Sequence, residues 1–388
     1  FPYFLGWSGG SGVNFTMNFG QRPFAYQTPG TNRPAATFKA LCDTNLGAPL
    51  VAKPNTLMDV ALYTGNGGTQ TISGLAFEPD LVWFKSRNNA YSHALVDVLR
   101  GGNKVLYSNA TDADVTMTGG ISAWNNDGFT AVVDTTYANS INTSSSTVVA
   151  WCWKAIGNDG TASTTNTAGS ITSQVRANAT AGFSVVTYTG TGAVATVGHG
   201  LGVAPQLIIA RPRNAGSNWV VYHASEGAGK FLRLNTTDSS TTDSTAWNNT
   251  TPTSTVYSVG NNAANGSGLS VIAYCFAPVV GYSSMGSYVG NASSDGPFVY
   301  TGFRPKFLLF KSAGAGDWVI IDATRDTYNV SGYNLYPNDS VGESFNARLD
   351  ILSNGFKLRS TFTSTNPSGT SVVYAAFAES PFQYARAR

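Results

Sequence analysis

What most constrains the fold of this chain is that it is written three times. A block that opens on Tyr63-Thr-Gly65, Tyr188-Thr-Gly190 and Tyr288-Val-Gly290 closes on Val148-Val-Ala-Trp-Cys-Trp153, Val271-Ile-Ala-Tyr-Cys-Phe276 and Val372-Val-Tyr-Ala-Ala-Phe377. The opening tyrosine and the first closing valine are 85, 83 and 84 residues apart. So even a period is the mark of tandem units with one topology.

Landmarks between the ends keep their order. A proline leads an apolar run with a basic end at Pro79-Asp-Leu-Val-Trp-Phe-Lys85, Pro205-Gln-Leu-Ile-Ile-Ala-Arg211 and Pro305-Lys-Phe-Leu-Leu-Phe-Lys311. A second run follows at His93-Ala-Leu-Val-Asp97, Trp219-Val-Val-Tyr-His223 and Trp318-Val-Ile-Ile-Asp322, and a third starts at Lys104, Lys230 and Tyr333. Asn126-Asp-Gly128 and Asn354-Gly355 signal turns in which Gly is expected at positive φ.

Short runs of Val, Ile, Thr and aromatics, broken by Gly, Asn and Ser, predict antiparallel strands, and no apolar period of 3.6 is sustained. The expected fold class is all-β, three tandem antiparallel sandwich (jelly-roll-like) repeats. The expected bounds are 59–156, 183–280 and 281–388, after an N-terminal β segment and connector at 1–58. Residues 157–182, rich in Gly, Thr, Ser and Asn, are expected to be a linker or a bridging hairpin. In the closing strands alternation puts Val149, Trp151 and Trp153 on one face and Val148, Ala150 and Cys152 on the other. Both faces are apolar, which predicts a central strand covered on both sides.

Only 11% of the 388 residues are charged, and the net charge of +2 is spread along the chain. No basic block tracks a phosphate backbone, so nucleic acid is not an expected partner. No apolar stretch is long enough to span a bilayer, and residues 1–10 lack the pattern of a signal peptide. The start at Phe1 suggests the C-terminal part of something longer. Cys42, Cys152 and Cys275 are too few and too dispersed for a disulfide scaffold or a zinc site; they are expected to be reduced and buried.

Little in the sequence points to catalysis. His93 and His223 occupy strand ends in two repeats where the third has Asp322, and with His199 they read as structural hydrogen-bonders. Asp80, Asp97, Asp322 and Glu343 could supply the carboxylate pair of a glycosidase, but near strand ends Asp and Glu serve turns and caps. Gly190-Thr-Gly192 and Gly198-His-Gly200 precede no helix and make no phosphate cradle. Asn-x-Ser/Thr triplets such as Asn109-Ala-Thr and Asn235-Thr-Thr arise by chance in such a composition. No catalytic residue, metal ligand or cofactor is therefore expected. Aromatic stacking remains as a means of binding a sugar, and Trp124, Trp247 and Tyr137, in Asn-, Asp- and Thr-rich stretches, are the candidate ligand-binding residues, with core packing the competing reading for each.

Asn18-Phe-Gly-Gln-Arg-Pro-Phe-Ala-Tyr26, with Phe38-Lys-Ala-Leu-Cys-Asp-Thr-Asn-Leu46, resembles a junction in structural proteins of tailed bacteriophages, where the last strand of a SPRY-like domain leads into tandem modules of unknown function. The repeats resemble those modules, and Tyr374-Ala-Ala-Phe-Ala-Glu-Ser-Pro-Phe382 with Tyr384-Ala-Arg-Ala-Arg388 resembles their usual end. The resemblance implies a non-enzymatic virion component, a tail-fibre or receptor-binding protein, assembled in the bacterial cytoplasm with other virion proteins. A homotrimer is expected, because phage fibres are commonly trimeric and the truncated N-terminal strands need partners for their edges. Host surface glycan is the candidate ligand of an adhesive surface, and no membrane insertion is expected. A polysaccharide-degrading tailspike and a bacterial adhesin or filament subunit are the alternatives.

Overall fold

In the computed structural model, residues 50–136, 139–156 and 163–379 are described. Expectations placed on residues 1–49, including the SPRY-like junction and Cys42, lie outside them, as does the chain end after Glu379.

The closing strands explain the architecture. Thr147–Trp153, Ser270–Phe276 and Ser371–Ala378 each lie in the interior of an inner sheet, paired on both sides. In the first repeat the closing strand is flanked by the opening strand Met58–Thr64 on one side and the proline-led strand Leu81–Ser86 on the other, with Ala94–Asp97 next. The second repeat has the same order with Phe183–Thr189, Leu207–Pro212 and Val220–His223, and the third with Ser283–Val289, Pro305–Ser312 and Trp318–Asp322. All pairs are antiparallel. The fold is all-β, with one inner-sheet topology repeated three times.

The small-residue face of each closing strand packs on an outer sheet, completing a sandwich. Phe84 meets Phe129 of the outer strand Gly128–Val132 with ring centroids 5.4 Å apart, and Phe310 meets Phe356 of Gly355–Leu358 at 5.3 Å. The outer sheets have diverged, with three strands in the first repeat, two in the second and four in the third.

The large-residue faces converge on each other. Trp153, Phe276 and Phe377 hold the same place in their repeats and touch pairwise, edge to face, at 6.2, 5.8 and 5.7 Å. A triangle with nearly equal sides makes the three inner sheets a pseudo-threefold arrangement around one shared core, to which Val149, Trp151, Ile272, Tyr274, Val373 and Ala375 also belong. Edge-to-face packing suits the ring quadrupoles, positive edge against negative face. Both apolar faces of the strand are thereby accounted for: one is buried within the repeat, the other between repeats. The described residues form one compact unit.

The opening signature has its own mechanism. Tyr63, Tyr188 and Tyr288 donate their hydroxyls to the carbonyls of Ile141, Ala264 and Thr365. The next residue in each case, Asn142, Asn265 or Asn366, is buried and ties down the loop after the opening strand through Asn66, Thr191 and Asn291. At Gly65, Gly190 and Gly290 a Cβ would lie 2.2, 2.4 and 2.1 Å from a backbone oxygen of that same segment. Tyrosine clamps and glycine admits the chain.

Residues 164–178 form a hairpin, Thr164–Asn166 with Ser173–Asn178, that extends the inner sheet of the second repeat. It also reaches the first repeat, since Arg176 pairs with Asp80 and Asn178 donates to the Ile156 carbonyl. The turn glycines act differently from expectation at one site. Gly128 has φ 155°, but Gly355 is not at positive φ; its absent side chain admits the Val299 carbonyl, which a Cβ would meet at 2.0 Å.

Candidate functional site

Most of the buried charge lies along the seams between repeats, and the sequence places it there in a repeated pattern. After the second strand comes Asp97-Val-Leu-Arg100 in the first repeat and Asp322-Ala-Thr-Arg325 in the third. Asp97 Oδ2 accepts from Arg100 Nε at 2.5 Å and from the Tyr274 hydroxyl of the second repeat at 2.7 Å. Arg100 continues to Asp114 at 2.9 Å, and Asp114 to Arg213 of the second repeat, also at 2.9 Å. At the third-to-first seam Asp322 Oδ2 accepts from Arg325 Nε at 2.5 Å and from Trp151 Nε1 at 3.0 Å, while Glu343 joins Arg325 to Arg87. The two seams are built alike.

The second-to-third seam departs from this. His223-Ala-Ser-Glu226 stands where the others have Asp-x-x-Arg, and His223 Nε2 donates to the Tyr374 carbonyl at 3.2 Å while Nδ1 accepts from Ser225 N–H at 3.2 Å. With both ring nitrogens so used the imidazole is neutral, and burial pulls its pKa down to about 4, against the raising effects of the Tyr374 carbonyl and Glu226. His93 is not the counterpart of His223 that the sequence suggests. It stands at the strand start where the other repeats have Trp219 and Trp318, its backbone N–H donating to Asn109 as theirs do to Asn235 and Asn338. It is held well below its usual pKa, first by burial and then by Lys85 and Arg325. Its Nδ1 accepts from Trp83 Nε1 at 3.1 Å. His199 uses its nitrogens as His223 does, toward Leu201 and Thr253.

Aromatic and basic landmarks serve the same seams. Trp219 Nε1 donates to the Tyr107 carbonyl of the preceding repeat at 2.9 Å, and Trp318 Nε1 to the Arg233 carbonyl at 2.8 Å. Arg211 enters the loop after the third strand of the first repeat, donating to the carbonyls of Tyr107, Ala110 and Asp112. Lys311 reaches the Thr237 carbonyl of the second repeat in the same manner. Burial lowers the ammonium groups of Lys85 and Lys311 to about 8, against nearby carboxylates. The basic end of each proline-led strand is thus a structural plug.

The carboxylates that could have formed a hydrolytic pair are engaged. Asp97 and Asp322 are fully buried against their arginines, and Glu343 bridges Arg325 and Arg87. Asp80 accepts from Ala155 N–H and Ile156 N–H besides pairing with Arg176. Among the described residues no three His, Cys, Asp or Glu side chains are gathered to hold a metal ion. Cys152 and Cys275 are free thiols buried in separate cores.

The candidate aromatics are not brought together. Trp247 is 1% exposed, a correction to its reading as a sugar-stacking side chain. The short helix Ser244–Trp247, capped by Asp243, turns its ring inward against Tyr222 and Tyr257. Trp124, on the strand Gly120–Asn125, is half-buried and packs on the core of the first repeat. Tyr137 lies outside the described residues. The exposed aromatics among the described residues all stand in the third repeat, at Tyr328, at Phe345, and side by side at Phe298 and Tyr300 on the outer strand Phe298–Tyr300. On the pseudo-threefold axis a cavity of about 20 Å³ is lined wholly by apolar side chains such as Leu81, Leu207 and Phe307. So small an apolar space stays dry and holds no ligand.

A family model described as Domain of unknown function (DUF7483) matches residues 53–381. No curated protein matches the chain.

Proposed function

We propose, for a chain that belongs to the DUF7483 family, the role of a non-enzymatic structural protein of a tailed-phage virion, a tail-fibre or receptor-binding component that meets host surface glycan. The observation that carries this reading is that the side chains able to do acid–base chemistry are instead buried where the repeats join, with Asp97, Asp322 and Glu343 each held by arginine. A block built this way keeps its shape, and its loops and outer sheets are free to vary. The likeness of the repeats and junction to phage structural proteins supplies the virion setting.

Mass spectrometry of purified virions tests the setting; absence of the chain from particles defeats it and favours a bacterial adhesin. Incubation with host polysaccharide separates binding from cleavage. Release of reducing ends that disappears on mutation of a loop carboxylate makes the chain a tailspike enzyme. Other virion proteins are its partners in this reading, and a homotrimer its assembly. Light scattering at micromolar concentration tests that assembly, and a one-chain mass counts against it.

A further inference from the structure

Phe298 and Tyr300 break the pattern of the repeats. The buried residue between them, Val299, pairs with Phe356, as Ile72 pairs with Phe129 and Val197 with Tyr257. The positions of Phe298 and Tyr300 are therefore those of Thr71 and Ser73 in the first repeat and Thr196 and Gly198 in the second. In the second repeat the chain itself covers them: Thr196 N–H donates to Ser170 Oγ, and a Cβ on Gly198 would lie 2.0 Å from Asn166. In the first they are small and polar. The fold does not require aromatics here, yet the third repeat has two, 48% and 67% exposed.

We propose that Phe298 and Tyr300 form a saccharide-binding platform that stacks on a neutral sugar, which locates the glycan contact of the function proposed above and rests on it. Alternate strand residues share a face, so the two side chains leave the strand about 7 Å apart on one side of the sheet. Beside Phe298 in the register lie Lys357 and then Asp350. Lys357 pairs with Asp295 at 2.8 Å, and Arg359 with Asp350 at 2.6 Å. Two cations and two anions in mutual pairs give no net field to attract a charged partner, but they offer donors and acceptors together, as sugar hydroxyls need. Two rings fall far short of the roughly 800 Å² that a stable protein interface buries on each side. A three-residue strand is also too short an edge for strand addition.

The test compares the wild type with Phe298→Thr/Tyr300→Ser, which installs the residues of the first repeat at these places. Both are screened on an array of neutral and anionic oligosaccharides, and the best binder is titrated calorimetrically. The expected result is binding of a neutral oligosaccharide by the wild type and a loss of about tenfold or more in affinity in the variant, with the melting temperature unchanged. A variant that binds the same sugar undiminished overturns the platform and leaves the receptor reading standing. A wild type that binds no sugar, with a variant of altered mass in light scattering, overturns it in favour of a protein contact. No sugar bound and no change of mass removes both the platform and the glycan contact.

Discussion

His223 donates across the second-to-third seam to the Tyr374 carbonyl, at the place where the other two seams have a buried aspartate bound to arginine. With Nδ1 accepting from Ser225, protonation would set two N–H groups against each other. The folded pKa of about 4 lies below the unfolded value of about 6.5. Between them the unfolded chain binds the extra proton, so this site's contribution to stability is complete above pH 6.5 and is lost as the pH falls toward 4. The loss is about 3 kcal/mol. Denaturant midpoints across this window should fall with pH in the wild type, and His223→Gln should flatten the slope.

Trp153 should behave as one corner of the ring triangle. Replacing it by Ala removes contacts to Phe276 and Phe377 together and should cost about 3 to 5 kcal/mol. Trp153→Phe restores the residue type of the other two corners, and it removes an indole N–H that has no hydrogen-bond partner among the described residues. Its cost should stay under about 1.5 kcal/mol. Equal losses in urea titrations of the two variants would contradict the triangle.

Arg100 and Arg325 are cations surrounded by acids and carbonyls. Arg100→Ala strands the buried carboxylate of Asp97 and should destabilise by about 3 to 5 kcal/mol. Adding Asp97→Ala should recover part of that loss, since the uncompensated charge goes with it. A double-mutant cycle with no recovery would mean that packing, not charge, holds the seam.

Unfolding of the repeats should be one event. Each inner sheet buries its large-residue face only against the other two, so a repeat separated from its neighbours exposes Trp, Tyr and Phe to water. Tryptophan fluorescence and far-UV circular dichroism should report coincident transitions for residues 50–388. Three separable steps would show that the sandwiches stand alone.

The closing strands were legible because alternation and apolarity are local properties: Trp151 and Trp153 announce a strand covered on both sides. What covers the second side is not local, and the shared core could not be read from any one repeat. The seams carry a local signal of their own. Asp97-Val-Leu-Arg100 and Asp322-Ala-Thr-Arg325 recur at one position, and an Asp with an Arg three residues on closes an ion pair beside a strand end. For Trp247 the polar neighbours leave a surface and a core reading both open, and the core one holds: Asn and Thr mark its flanks but a single helical turn sends the ring inward. Phe298 and Tyr300 were readable in principle as departures from Thr71 and Ser73, once the outer strands had been aligned.

The triangle of Trp153, Phe276 and Phe377 has a consequence for valency. Three identical chains around an axis must show every surface feature three times, whereas a chain that closes the axis with its own three repeats shows each feature once. Phe298 and Tyr300 occur in one repeat, so each molecule carries a single copy of that surface, and multivalent attachment would depend on how many molecules are displayed side by side.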